Sequence, residues 1–591
     1  MVHFRLRHLF VIGLVIGLSW PAHAAGNPDI GNLQKAKIIR FAGHEAVSTL
    51  FAFEIDVASS APALNFMNVL GQSLTVAPVP GRVVNGLIES IEHVGRSGRS
   101  TIYRIRLVPT VAKLKYNITS RTFYQMTVSD IVSNILEGVG ISAFEWRITG
   151  PLPPYEMVIQ YQESDWGFVS RLLEERGIHY HFEPTSTGHK IVFSDNNAGF
   201  PLPPKGQLML ASKGNPRLQS FSLGQSLHAG TIRVNDYNWK NPTANLSSTA
   251  TTPVFQYLRE DVQPAGISVN DEAPWQAQRK LSERITQAQR CSGQSTYRHL
   301  RAGHRFTLTG HPRPDFNQEY VLTAVEHDGV DRGYRNTLTC LPSNFAYRPA
   351  QHTPRPSIAG VVPGIVVGPA GQQLYVDGHG RIRVRFPWWS STVSNQGGQG
   401  DGGWIRVAQL AAGTGSTAMW LPEIGDEVLV AFEHGDPRRP VVIGSLYNAQ
   451  DVPPAPLPGN KSMTVLRRRS VTGLKNEIIF DNAAGQELLA IQGGRRMNLH
   501  AGDDLTLQAS KNLSFVGGNG VSVNSARQVL LKGNQTITLR SGKHYLTISP
   551  QGISASTTIT TAAPPQSRMP RKKLLPSTGR RTPMRSIPPT R

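Results

Sequence analysis

From Leu489 to Gly542 the chain repeats every eight residues. Pairs of apolar residues two positions apart recur in one phase: Leu489/Ile491, Met497/Leu499, Leu505/Leu507, Leu513/Phe515, Val521/Val523, Val529/Leu531 and Ile537/Leu539. Four positions after each pair begins stands a small residue: Gly493, Ala501, Ala509, Gly517, Ser525, Gly533 and Ser541. Alternation places both members of a pair on one face of a strand, and the small residue permits a sharp bend. Each octad therefore reads as one short strand and one corner, too little for a whole solenoid coil. Stacked repeats need about three coils. If one chain supplied three faces per coil, seven octads would give only about two coils; if three chains each supply one face, they give about seven rungs. The pattern predicts a homotrimeric β-prism whose core is those fourteen paired residues. A single-chain β-helix is the alternative.

Upstream, a chain of 591 residues has room for roughly three or four domains. Its 56 glycines and 42 prolines favour turns and short strands, and nothing in it supports a coiled coil. Strands are expected at Lys37–Phe41, Phe51–Val57, Gly86–Ile91 and Thr101–Pro109. Thr127, with Asp130 three positions on, caps a helix whose apolar face is Val128, Ile131, Val132, Ile135, Leu136 and Val139, ended by Gly140. Ser164 caps a second helix carrying Phe168, Val169, Leu172 and Leu173, closed by Gly177. A third is expected near Trp275–Gln289. Residues 342–363 hold five prolines and read as a linker. From 364 to 450, strand candidates Leu374–Val376, Arg381–Pro387, Trp404–Ala408, Glu427–Phe432 and Pro440–Tyr447 suggest a small barrel.

The termini differ from the body. Residues 1–25 combine Arg5 and Arg7, an apolar core from Leu9 to Trp20 and Ala22-His23-Ala24, the pattern of a Sec leader or of a mis-called start. Beyond them no apolar stretch is long enough for a membrane span. The net charge is +21, of which Ala563 to Arg591 supplies eight charges without a single acid. That segment is proline-rich and without apolar period, so it is expected to be a disordered basic tail. The remaining excess reads as a basic solvated surface, and no nucleic-acid partner is expected. Cys291 and Cys340 are the only cysteines; they read as two buried small hydrophobes, with one disulfide possible in an oxidising compartment.

Catalytic patterns are missing from the sequence. It contains no H-E-x-x-H, P-loop, C-x-x-C or G-x-S-x-G. His179 and His181 share one strand face and could bind metal; the plainer reading makes them stand-ins for aromatics on a half-exposed strand. Glu174 and Glu175 read as solvated or ion-paired carboxylates at a helix end. No catalytic residue, cofactor or metal is expected.

Several motifs carry a family resemblance. They are Tyr161-Gln162-Glu163-Ser164-Asp165-Trp166 leading through Arg171-Leu172-Leu173-Glu174-Glu175 to Gly177-Ile178, then Tyr375 to Phe386, then Trp404-Ile405-Arg406-Val407. Gly425-Asp426-Glu427-Val428-Leu429-Val430, Gly435-Asp436-Pro437-Arg438-Arg439-Pro440 and Gly444-Ser445-Leu446-Tyr447-Asn448 complete the set. With the octads, these make the chain resemble the VgrG family, the tip spike of type VI secretion, itself similar to the hub and puncturing spike of contractile phage tails. The resemblance implies a mainly β fold: a phage-hub-like part over 30–341 built from two β-barrel-like subdomains with inserted helices, a linker at 342–363, an OB-like barrel at 364–450, a connector at 451–488 and a trimeric β-helix at 489–560. The implied partners are an Hcp-type tube, a PAAR-type tip protein, effector cargo and, transiently, a target membrane. The implied route is assembly in the cytoplasm and secretion through the machine. A Sec-exported trimeric surface or receptor-binding protein is the alternative, favoured by the leader, and a cell-wall hydrolase is the third reading.

Overall fold

The computed structural model describes residues 27–559, apart from 62, 204, 215, 268–271, 331–332 and 389–401. The leader-like segment 1–25 and the basic tail 563–591 lie outside the described residues. Residues up to Gly494 form one compact unit and those after it a second.

The first unit is organised by one eleven-stranded sheet. Ser73–Val79, Arg82–Ser97, Ser100–Val108, Thr49–Ser59 and Lys37–Ala46 lie side by side in that order. Glu319–Val330 then pairs with Lys37–Ala46, with Arg40 opposite Val330 and Ala46 opposite Ala324. Gly333–Pro342, Gln289–Ser295 and Leu218–Gln225 continue the sheet. A sheet drawn from both halves of the hub carries two cores. One gathers Phe41, Phe53, Ile55, Ile105 and Leu107; the other gathers Phe306, Tyr320, Leu338, Cys291 and Cys340.

Two helices build a third core beside the sheet. Val128–Gly138 starts on a full capping box, in which Thr127 accepts from the Asp130 amide and Asp130 accepts from that of Thr127. Asp165–Arg176 is capped by Ser164, which accepts from the Gly167 amide, and stops at Gly177 in a left-handed conformation. Their apolar faces meet Phe123, Tyr180 and Phe193. The helix expected near Trp275–Gln289 runs Glu272–Ala288.

Five strands, Val361–Val367, Ile382–Arg385, Gly403–Val407, Glu427–Phe432 and Pro440–Leu446, close a small barrel. Alternation along Glu427–Phe432 turns Val428, Val430 and Phe432 inward. Gly364 is required by close approach, since a Cβ there would lie 2.4 Å from Val384. Two sequence expectations change here. Leu374–Val376 is not a strand; only Val376 makes an isolated bridge, to Ile382. The segment read as a linker is not a free tether: its Ile358 is buried in the barrel core and its amide donates to Gly435.

After the barrel, Met463–Arg469, Lys475–Asp481 and Leu488–Gln492 form a three-stranded antiparallel sheet. In the second unit, Ile537–Ser541, His544–Ser549 and Gly552–Ala555 form another.

Candidate assembly and load-bearing site

Two features distinguish this molecule: a charged clasp between hub and barrel, and the octad run. The clasp begins on the Asp165–Arg176 helix. Its Glu175 is buried, accepts from Arg355 Nε of the 342–363 segment at 2.6 Å, and accepts from Arg438 Nη1 of the barrel at 3.3 Å. Burial opposes ionisation of Glu175, but the charges of Arg438, Arg355 and Arg171 outweigh it and hold its pKa down at about 2. Arg438 also donates to Asp436 Oδ2 at 3.0 Å. Its neighbour Arg439 reaches Asp236 of the hub at 2.6 Å, and Asp236 additionally accepts from the amides of Gly266 and Ile267. Thr353 donates through its amide and hydroxyl to Glu174.

Beside these pairs, Trp239 of the hub lies under two barrel guanidinium groups. Arg381 and Arg406 each stand 5.2 Å from its ring centre. Arg381 also donates to Glu156 of the hub at 2.6 Å. Under these contacts Ile159, on the hub strand Tyr155–Ser164, is wholly buried in the barrel core with Val384, Ile405 and Val430. A greasy plug ringed by charge pairs resists both sliding and tilting, because each motion would uncover apolar surface and strand a buried charge.

Several clasp residues belong to the sequence motifs: Arg171 and Glu175 to one, Arg438 and Arg439 to another, Arg381 and Arg406 to two more. The structure brings these separate motifs together. Asp236, Trp239 and Glu156 are partners that sequence reading missed. They sit in no periodic pattern, and only the paired arginines opposite them signal a need for acids elsewhere.

The octad run has a regular backbone of its own. Bends fall at Gly494/Arg495, Gly502/Asp503, Ser510/Lys511, Gly518/Asn519, Ala526/Arg527 and Asn534/Gln535, a constant eight-residue spacing starting one position after each of the first six small residues. Ser525 shows how a corner is held: its hydroxyl accepts from the amides of Arg527 and Gln528. Between the bends, residues 496–533 form no strand pairing within the chain among the described residues. Leu489, Ile491, Met497, Leu499, Leu505, Leu507, Leu513, Phe515, Val521, Val523, Val529, Leu531 and Leu539 are all at least half exposed in the single chain, and Ile537 is partly buried. The first pair shares its strand with the sheet before the run, where Ile491 lies opposite Ile478 and Leu489 opposite Phe480. The last pair opens the sheet at the far end, where Ile537 lies opposite Ile548 and Leu539 opposite Leu546.

The histidine reading is corrected in one respect. His179 and His181 do share a face, but their strand is not half exposed: both rings are buried. His179 stacks on Phe200 at 4.3 Å between ring centres and meets Tyr347 edge-on. Burial is the main reason its pKa is pushed down to about 3. His181 donates through Nε2 to the Glu183 carboxylate, 3.1 Å away. Among the described residues no group of three or more His, Cys, Asp or Glu side chains is gathered as a metal site.

Residues 44–333 match the family model of the phage tail baseplate hub, and residues 362–447 match the type VI secretion system/phage-baseplate injector OB domain. The type VI secretion system spike protein VgrG1a of Pseudomonas aeruginosa is 29% identical over 514 residues, covering 81% of this chain and 78% of its own length. The chain belongs to the VgrG family. VgrG5 of the same organism is 30% identical over 495 residues, and this chain spans 62% of its length. The actin cross-linking toxin VgrG1 of Vibrio cholerae is 30% identical over 425 residues, 68% of this chain but 38% of the toxin. Among solved structures, the E. coli c3393 protein, described as a type VI component similar to the phage T4 tail proteins gp27 and gp5, superposes with a TM-score of 0.53 at 24% identity. It covers 70% of this chain and 97% of its own. That likeness supports the hub-and-barrel fold.

Proposed function

We propose that this chain is one subunit of a homotrimeric type VI secretion spike. The observation that carries the reading is the octad run: thirteen apolar side chains at least half exposed, segments that the sequence pattern reads as strands but that have no pairing inside the chain, and corners at constant spacing. Unpaired strand backbone and an unpartnered apolar stripe are both costly in water. Two further copies would satisfy both at once. Each rung would be hydrogen-bonded around the perimeter and filled by the Leu, Val, Ile, Met and Phe pairs. Such a prism exposes no free sheet edge along its length and transmits axial force as a stiff rod.

In this reading the hub sits on an Hcp-type tube, the clasp passes load from hub to barrel, and the prism end takes a PAAR-type tip with effector cargo. The trimer punctures the target membrane and leaves the cell through the contractile machine. The work is mechanical and calls on no catalytic group in this chain. The core of the trimer is the set of octad pairs from Leu489/Ile491 to Ile537/Leu539. The domain limits proposed from sequence follow the same plan: hub 30–341, connecting segment 342–363, barrel 364–450, connector 451–488 and prism 489–560. The test is genetic and biochemical. Deleting the gene in its own host should abolish release of the Hcp-type ring protein into culture fluid, and the intact chain should restore it. Unchanged release in the deletion strain would favour the Sec-exported surface protein that the leader-like residues 1–25 suggest.

A further inference from the structure

Cys291 and Cys340 face each other across two neighbouring antiparallel strands. The register sets Cys291 opposite Cys340 and Ser292 opposite Thr339. Directly opposed residues in such a ladder point to the same face, with Cα atoms about 4.5 to 5.5 Å apart. A disulfide spans about 4.4 to 6.8 Å between Cα atoms. Both residues are free thiols, buried in the core formed by Phe306, Tyr320, Leu322 and Leu338. Neither strand is free to move away, since Leu218–Gln225 pairs with one on its outer side and Glu319–Val330 with the other. The fold thus holds the only two cysteines of 591 residues in bonding register, although 48 other residues lie between them in the chain.

We propose that Cys291 and Cys340 are a disulfide-forming pair that closes when the chain folds in contact with a low-molecular-weight disulfide, and stays a dithiol when it folds in a reducing cytosol. In the first step one cysteine, as thiolate, attacks a sulfur of the external disulfide; a mixed disulfide forms and one small thiolate leaves. In the second, the other cysteine thiolate attacks the protein sulfur of that mixed disulfide; the Sγ–Sγ bond forms and the second small thiolate leaves. The two protons lost by the cysteines end on the two released thiols. The cysteines are oxidised by two electrons and the external disulfide is reduced by the same two.

Timing follows from burial. The thiolate is the attacking species, and in the folded hub burial pushes the Cys340 thiol well above its ordinary range, helped by its hydrogen bond with Cys291. Exchange therefore belongs to the folding chain, and the completed core shields whichever state it has trapped. The pair becomes a record of the compartment in which the hub folded: dithiol for cytoplasmic assembly, disulfide for folding after Sec export. This inference concerns the hub alone and stands whether or not the spike reading does.

The test is to produce the full chain in two bacterial hosts, one with an ordinary reducing cytosol and one whose cytosol is oxidising through loss of its thioredoxin and glutathione reductases. The soluble protein from each is denatured, alkylated with iodoacetamide and measured by intact mass and peptide mapping. The expected result is alkylation of both cysteines from the reducing host, and no alkylation with a linked 291–340 peptide from the oxidising host. The oxidised protein should also keep its bond when treated with dithiothreitol without denaturant. Two alkylated cysteines from the oxidising host, or glutathione left on either one, would overturn the proposal.

Discussion

Arg438 and Glu175 lie 263 residues apart and meet as a buried ion pair, guanidinium Nη1 to carboxylate Oε2 at 3.3 Å. One belongs to the barrel and the other to a hub helix, so this contact measures directly whether the two parts move together. Arg355 converges on the same carboxylate, which makes Glu175 the anionic centre of a cationic cluster.

Removing that centre is predicted to cost far more than removing the pair together. Glu175→Ala takes their shared counter-charge from the largely buried Arg438 and the more exposed Arg355, a loss of about 3 kcal/mol in urea unfolding. The double change Glu175→Leu with Arg438→Met removes charge from both sides and should recover at least half of it. Equal destabilisation by the single and double variants would show that the charges are not coupled.

Gly177 closes the same helix at φ +66°, and a Cβ there would come within 2.9 Å of Arg279 Cδ. Gly177→Ala is therefore expected to destabilise the hub by about 1–2 kcal/mol. Gly138→Ala is the control: that glycine ends the Val128–Gly138 helix with open space around it, and the change should be neutral or stabilising by up to about 1 kcal/mol. Thermal melts of the two variants should move in opposite directions or differ clearly in size.

Acid should loosen the hub well before it reaches the carboxylates. Burial is the main cause of low pKa values for His179, about 3, and for His189, His304 and His327, each about 4. These rings stay neutral in the folded state while the unfolded chain takes up protons below its ordinary value of 6.5. The unfolded state then binds more protons, so stability is full above pH 6.5 and falls as pH drops from 6.5 toward 4. His179→Phe keeps a ring against Phe200 and should flatten this acid limb in melts taken across that window. An unchanged slope would mean that His179 is protonated in the folded hub.

Val523→Asp should weaken assembly far more than Asn519→Asp. In the proposed prism Val523 points to the axis, where three carboxylates would be buried together or forced neutral, at several kcal/mol each. Asn519 lies in a bend, where a charge keeps its water. Equal trimer stability of the two variants in a denaturant series would show that the inward phase is misassigned.

What was legible in the sequence was local. Thr127 with Asp130, Ser164 and Gly177 announce their helix ends by chemistry that acts within a few residues, and the octad period reappears as bends at constant spacing. What was not legible depends on partners far along the chain. Nothing near His179 reveals Phe200 and Tyr347 closing over it. The prolines of 342–363 suggest a tether, yet Thr353 and Arg355 dock on Glu174 and Glu175 from about 180 residues away. Asp236 and Trp239 gain their meaning only when Arg439, Arg381 and Arg406 arrive from the barrel. Charge pairs of this kind have no period to read.

The most direct test of the account is the mass of the native particle, measured by light scattering on the purified chain at micromolar concentration. In the proposed prism, three copies pair the octad segments between the bends and cover the stripe from Leu489 to Leu539. The account predicts about three times the 64.7 kDa chain mass. A stable, soluble particle of 64.7 kDa would contradict it.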